Sequence, residues 1–271
     1  MIYRVLFSAA SLAAIVSLAA SSQAAPAKKK LLVVTYAAGF VHTEGIAAGV
    51  PVVKEIGEKT GLYDIDLCRT REDVQKMLTP DYLKAYDGVV FLNTQGNIGI
   101  PDLKAFLDWI ASGKAFIGMH AAADTDKTHD FNPPDPTFSN FLGGEFRTHH
   151  SQCEVEAINN DPKHPANKHL GPTWKMFDEI YLFQNNSRDK VHVLLSLDKH
   201  PMDGSPEQGQ PGEYLLSWCK TYGKGRVFYT AFGHRADVWQ NEAYQQHILG
   251  GIRWALGLAK GDSKPGNPAP K

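Results

Sequence analysis

The sequence predicts an α/β protein: a mostly parallel sheet flanked by helices, followed by a strand-rich second half. Three observations carry this. LLVVTY (31–36), DGVVFLN (87–93) and KAFIGMH (114–120) are continuous apolar runs, the pattern of strands buried on both faces. Stretches with helical spacing separate them, as crossovers between parallel strands require. Beyond residue 150 the apolar runs crowd together with little helical pattern between them.

The chain opens with MIYRVLFSAASLAAIVSLAASSQA, where Arg4 precedes an Ala- and Leu-rich run ending in the small residues Ser22 and Ala24. That is the layout of a secretory signal peptide, residues 1–24, cleaved after Ala24. An uncleaved membrane anchor is the alternative, but serines break the run and a small-residue cleavage pattern follows it. The mature chain is then expected to be periplasmic or secreted, with no membrane partner. Lysines 28–30 read as a solvated lead-in to the first strand.

IAAGVPVVKEIGEKTG (46–61) has helical spacing and a stop at Gly61, although Pro51 and interior glycines weaken it. YDIDLCR (63–69) alternates as a strand, and 71–85 reads as a short helix. PDLKAFLDWIASG (101–113) predicts a helix with Pro101 at its first position and Gly113 past its end. The second half holds the strand candidates SQCEVEAI (151–158), EIYLFQ (179–184), VHVLLSLD (191–198), EYLLSWCKTYG (213–223) and GRVFYTAFG (225–233). Gly223 and Gly225 mark a close connection between the last two. A final helix spans about 241–257, and the Pro-, Gly- and Lys-rich tail, 259–271, is expected to be disordered. Residues 30–258 thus form one domain.

Composition excludes several function classes. With 28 basic against 29 acidic residues, net charge −1 and no basic stripe, nucleic acid is not an expected partner. Three cysteines, Cys68, Cys153 and Cys219, are too few for a disulfide framework, and each falls in a strand run, so they read as buried free thiols. No Gly-x-Gly-x-x-Gly follows the first strand and no phosphate loop occurs, so no nucleotide cofactor is expected.

In a parallel sheet ligands gather beyond the carboxyl ends of the strands. The loops there carry His42 and Glu44, then Asn93, Thr94 and Gln95, then His120 and Asp124, and finally His234 and Arg235. FLGGEFRTHHSQ adds Glu145, His149 and His150. Each has an ordinary structural reading: His42 as a backbone partner, His120 as a core histidine, Asp124 as a helix cap, one of His149 and His150 as a surface residue. Trp174, Tyr181 and Trp239 would suit a sugar face or simply the core.

GMHAA, with small Gly118 and Ala122 flanking the middle position, has the steric pattern of a nucleophile elbow, but histidine stands where serine or cysteine would act. Acyl transfer at that spot is therefore out. His42, His120, His149 and His234 could converge on zinc, yet no His-Glu-x-x-His or Cys-x-x-Cys spacing supports it, so no metal is assigned. Acid–base work by histidine beside Asp124 or Glu145 makes the fewest demands.

GFVHTEGI, FIGMHAAADT, FLGGEFRTH, HPANKHL, FDEIY, VHVLLSLD, YGKGRVFYTAFGH and HILGGIRWALG, in this order, resemble the trehalose-utilization (ThuA-like) family over about residues 30–258. The resemblance implies a flavodoxin-like fold related to class I glutamine amidotransferases, with His120 at the position of their elbow cysteine. It also implies a small saccharide or keto-sugar as partner. The expectation is a hydrolase, lyase or isomerase with His120, Asp124 and Glu145 catalytic. His42, Gln95, His149, His234 and Arg235 would bind substrate, with no cofactor. A carbohydrate-binding or sensing module without turnover, or a metal-dependent sugar hydrolase, are the alternatives.

Overall fold

The computed structural model describes Met1 and residues 27–201, 203–204 and 213–270; the expected signal peptide lies outside the described residues. Strands β1 (Lys29–Val34), β2 (Tyr63–Cys68), β3 (Gly88–Leu92) and β4 (Ala115–Met119) are parallel neighbours in the order β2-β1-β3-β4. β3 and β4 are buried along their whole length, as their unbroken apolar runs demand.

The sheet continues past β4 through β11 (Gly225–Thr230), which is parallel to it. Beyond β11 follow β10 (Tyr214–Tyr222), β9 (His192–Leu197), β6 (Cys153–Asn159) and β7 (Thr173–Asp178), all antiparallel. A nine-stranded mixed sheet results, and β10 and β11 meet at Gly223 as the two glycines predict. A separate antiparallel ribbon pairs β5 (Glu145–His149) with β8 (Tyr181–Gln184). β5 and β7 carry polar alternation and were not legible as strands.

Helix α1 (Thr43–Thr60) begins three residues before the sequence expectation and closes on Gly61 in the left-handed region. The expected helix over 71–85 is two, α2 (Arg71–Met77) and α3 (Pro80–Leu83). Pro80 forces Thr79 out of the helical region and so divides them. α4 (Leu103–Ala111) starts after Pro101, because Asp102 caps it by accepting from the Ala105 N–H at 2.8 Å. α5 (Thr137–Leu142), α6 (Ala236–Gln240) and α7 (Glu242–Ala255) complete the α-helices among the described residues. None of the described helices is long and apolar enough to cross a membrane.

Two corrections concern position along the chain. Cys68 and Cys219 are buried free thiols, but Cys153 is only half-buried. The tail expected to be disordered is instead held against β9. Asn267 Nδ2 donates to Val193 O and its Oδ1 accepts from the Val193 N–H, both at 2.9 Å, while the Gly266 N–H donates to Arg188 O.

Candidate functional site

His120 follows β4 at a sharp turn, with a left-handed φ of 47° rare for a side-chain-bearing residue. It is fully buried, and its Nδ1 lies 2.7 Å from Ala231 O in the loop after β11. A carbonyl only accepts, so Nδ1 donates its proton there and Nε2 is the ring atom left to the site. His42 sits in the loop after β1, just before α1. Its ring centre is 4.9 Å from that of His120 and 5.2 Å from that of His234, which follows β11.

The carboxylate that meets them is Glu179, in the connection between β7 and β8. Its Oε2 lies 3.4 Å from His120 Nε2 and 3.3 Å from His234 Nδ1, and its Oε1 lies 3.3 Å from His149 Nδ1. One donor atom each from His42, His120, Glu179 and His234 falls within 4.8 Å of all the others. His42 Nδ1, His120 Nε2 and His234 Nδ1 are buried and make no hydrogen bond, so the contacts of the last two with Glu179 are close but not along a bond direction.

Burial lowers the pKa of His42 to about 3, helped by the charges of His120 and His234. Burial works to raise that of Glu179, but attraction to the His120 and His234 rings outweighs it and holds the carboxyl well below its usual range. The same contact with Glu179 raises the pKa of His234 against desolvation.

Asp178, one residue earlier, fastens the His234 loop. Its carboxylate accepts from the N–H groups of Gly233 (2.7 Å), His234 (3.4 Å) and Arg235 (3.3 Å). α1 presses on the same loop through Gly45. A β-carbon there would stand 2.6 Å from Asn93 Nδ2 and 2.7 Å from the carbonyl oxygens of Gly233 and His234. Asn93 Nδ2 in turn donates to Gly233 O at 3.2 Å.

His42, Glu179 and His234 line a cavity of about 370 Å³, together with Gln95, Asp124, Lys127, His149, Tyr181 and the rings of Phe40 and Phe146. Similar hollows occur between Arg147 and Glu213 and beside α7, but among the described residues no comparable cluster of possible metal ligands converges there. Chemistry rather than size distinguishes this one.

The structure brings His42, Gln95, Asp124, His149 and His234 to one cavity with His120 behind it, and departs from expectation at three residues. Asp124 lines the cavity without touching His120: it takes the Gln95 amide at 2.5 Å and pairs with Lys127. Glu145 stands outside the cavity, its oxygens taken by the Thr128 hydroxyl and the Gln184 amide, each at 2.5 Å. Glu145 is buried while His149 stands at the exposed end of β5, whose alternation is broken by a register shift between Phe146 and Thr148. The Arg235 side chain also leaves the site, toward Asp237, Gln152 and the Phe177 ring. Glu179 and Asp178 are the residues sequence reasoning missed, and their signal was the acidic pair in FDEIY.

The class is therefore a flavodoxin-like α/β protein with a buried histidine–carboxylate centre at the carboxyl ends of its parallel strands. The ThuA profile, described as trehalose utilisation, matches residues 30–255, and the chain belongs to that family. A protein from Bacteroides uniformis described as ThuA-like superposes with a TM-score of 0.64 at 22% identity, covering 87% of this chain and 94% of that one. A ThuA-like protein from Parabacteroides merdae gives 0.62 at 20% identity, over 84% and 90%. A cytoplasmic protein from Salmonella typhimurium gives 0.52 at 14%, over 83% and 99%. At these identities the likeness is one of fold. No functionally curated protein matches the chain.

Proposed function

We propose that the chain is an enzyme of carbohydrate metabolism that takes a small saccharide or keto-sugar into this cavity and hydrolyses, eliminates or isomerises it. One observation carries the reading: three imidazoles and Glu179 meet at the inner end of a cavity that is polar along one wall and aromatic at another. The Gln95–Asp124–Lys127 chain offers donors and acceptors for sugar hydroxyls, and the Phe40 and Phe146 rings offer faces for the sugar's C–H groups. The His–Glu centre acts on the oxygen brought against it, by moving a proton or steadying developing negative charge. Membership of a trehalose-utilisation family supports the substrate class.

Turnover of disaccharides, trehalose among them, and of their keto derivatives tests the reading. At least one should be converted by the parent, not by Glu179→Gln, and still by Cys153→Ser. Binding without conversion across the panel would replace an enzyme with a carbohydrate-binding module.

A further inference from the structure

We infer that His42, His120, His234 and Glu179 bind one divalent transition-metal ion of the zinc type. Three imidazole nitrogens and a carboxylate oxygen, with no thiolate, form a donor set that suits zinc and its first-row neighbours better than magnesium or calcium, which prefer all-oxygen surroundings. The spacing agrees. Bonds of about 2.0–2.1 Å in tetrahedral geometry put neighbouring donors about 3.3–3.4 Å apart. Glu179 Oε2 stands 3.3 Å from His234 Nδ1 and 3.4 Å from His120 Nε2.

The hydrogen bonding of the three rings is the independent observation. The Nδ1–H of His120 is held by Ala231 O at 2.7 Å, which leaves Nε2 as the ring atom turned to Glu179 Oε2, 3.4 Å away with no hydrogen bond between them. A backbone carbonyl fixing the far nitrogen of a histidine is also how metal-bound imidazoles are held in one tautomer. Buried polar atoms are seldom left unpaired, yet His42 Nδ1, His120 Nε2 and His234 Nδ1 all are, in one place. No local spacing announces the set, since its members come from four separate loops, at 42, 120, 179 and 234.

The ion's role rests on the proposed function, its existence does not. Because His42, His234 and Glu179 line the cavity, the ion would meet a sugar carbonyl or hydroxyl oxygen entering there and polarise it.

The test is zinc content and zinc titration of the full chain, purified without added metal and again after chelator dialysis. One equivalent per chain is expected, with a rise in melting temperature on zinc addition and a four-coordinate visible spectrum when cobalt(II) replaces it. Glu179→Gln and His234→Ala should weaken zinc binding by at least about 10-fold, while Cys219→Ser, beside His164, a buried histidine outside the cluster, should keep one equivalent. If a ligand variant fails to fold, the cobalt spectrum of the parent decides. A folded parent that takes up no stoichiometric zinc or cobalt, or ligand variants that bind like the parent, overturn the inference. Sugar turnover that survives complete metal removal overturns the ion's role in catalysis while leaving the proposed function intact. Bound metal without sugar turnover has the opposite meaning.

Discussion

Gly45→Ala sets two effects of known size against each other. Alanine is the better helix former by about 1 kcal/mol, and Gly45 lies in the first turn of α1. The added methyl, however, would stand 2.6–2.7 Å from Asn93 Nδ2 and two carbonyl oxygens, and those two belong to backbone that Asp178 pins from the other side. Overpacking against such neighbours costs about 1–3 kcal/mol. The net is a loss of up to about 2 kcal/mol, or up to about 8 °C in melting temperature. The site should suffer more than the fold. To relieve the clash, α1 and the His234 loop must part by several tenths of an ångström, and His42 sits at the start of α1. Metal–ligand distances tolerate only about 0.2 Å, so zinc affinity should fall at least about 10-fold. Calorimetric melting and zinc titration on the same sample measure both quantities. A Gly45→Ala protein with parental melting and parental zinc affinity would refute the view that close approach of α1 sets the spacing of His42 and His234.

Other substitutions separate site from scaffold. Glu145→Ala removes a buried carboxylate that accepts from the half-buried Thr128 hydroxyl and the Gln184 amide, so it should lower stability by about 1.5–3 kcal/mol in denaturant titration yet keep one equivalent of zinc. Arg235→Ala removes exposed contacts and should change stability by less than about 1 kcal/mol and turnover not at all; a large loss of turnover would return Arg235 to the site. Burial pushes the Asp126 carboxyl up to about 7. Between its ordinary value and that pH the folded chain keeps a proton that the unfolded chain releases, so stability falls as pH rises through this window. Asp126→Asn keeps an oxygen for the Ile98 N–H and removes the titration. It should therefore exceed the parent at pH 8 by on the order of 3 kcal/mol and match it near pH 4, and equal melting curves at pH 8 would contradict the shift.

The parallel half was legible in the sequence because β1, β3 and β4 are buried on both faces and write that burial as unbroken apolar runs. His120 was legible for a related reason: a strand of that kind must end at the site edge. Glu179 was not, because its meaning comes from β7 and β8 belonging to different sheets, which turns the short link between them toward three histidines from other loops. Glu145 looked better on paper, four residues from His149 and so on the same face of a regular strand, but the register shift between Phe146 and Thr148 breaks that alternation, leaving Glu145 buried and His149 exposed. A metal reading based on short ligand spacings could not find donors whose only relation is tertiary.

The side chain of Asn267 occupies both backbone hydrogen-bonding groups of Val193, and β6 joins that edge of β9 only farther along, at Leu195 and Ser196. It serves there as a one-residue substitute strand. The family profile ends at residue 255, before this clasp begins. A chain cut to the profile would bare the Val193 amide and carbonyl beside apolar Val191 and Leu194, an invitation to pair edge-on with another copy. The boundary of the family pattern and the boundary of a well-behaved soluble molecule are thus set by different physics, and a proline- and glycine-rich tail supplies the difference.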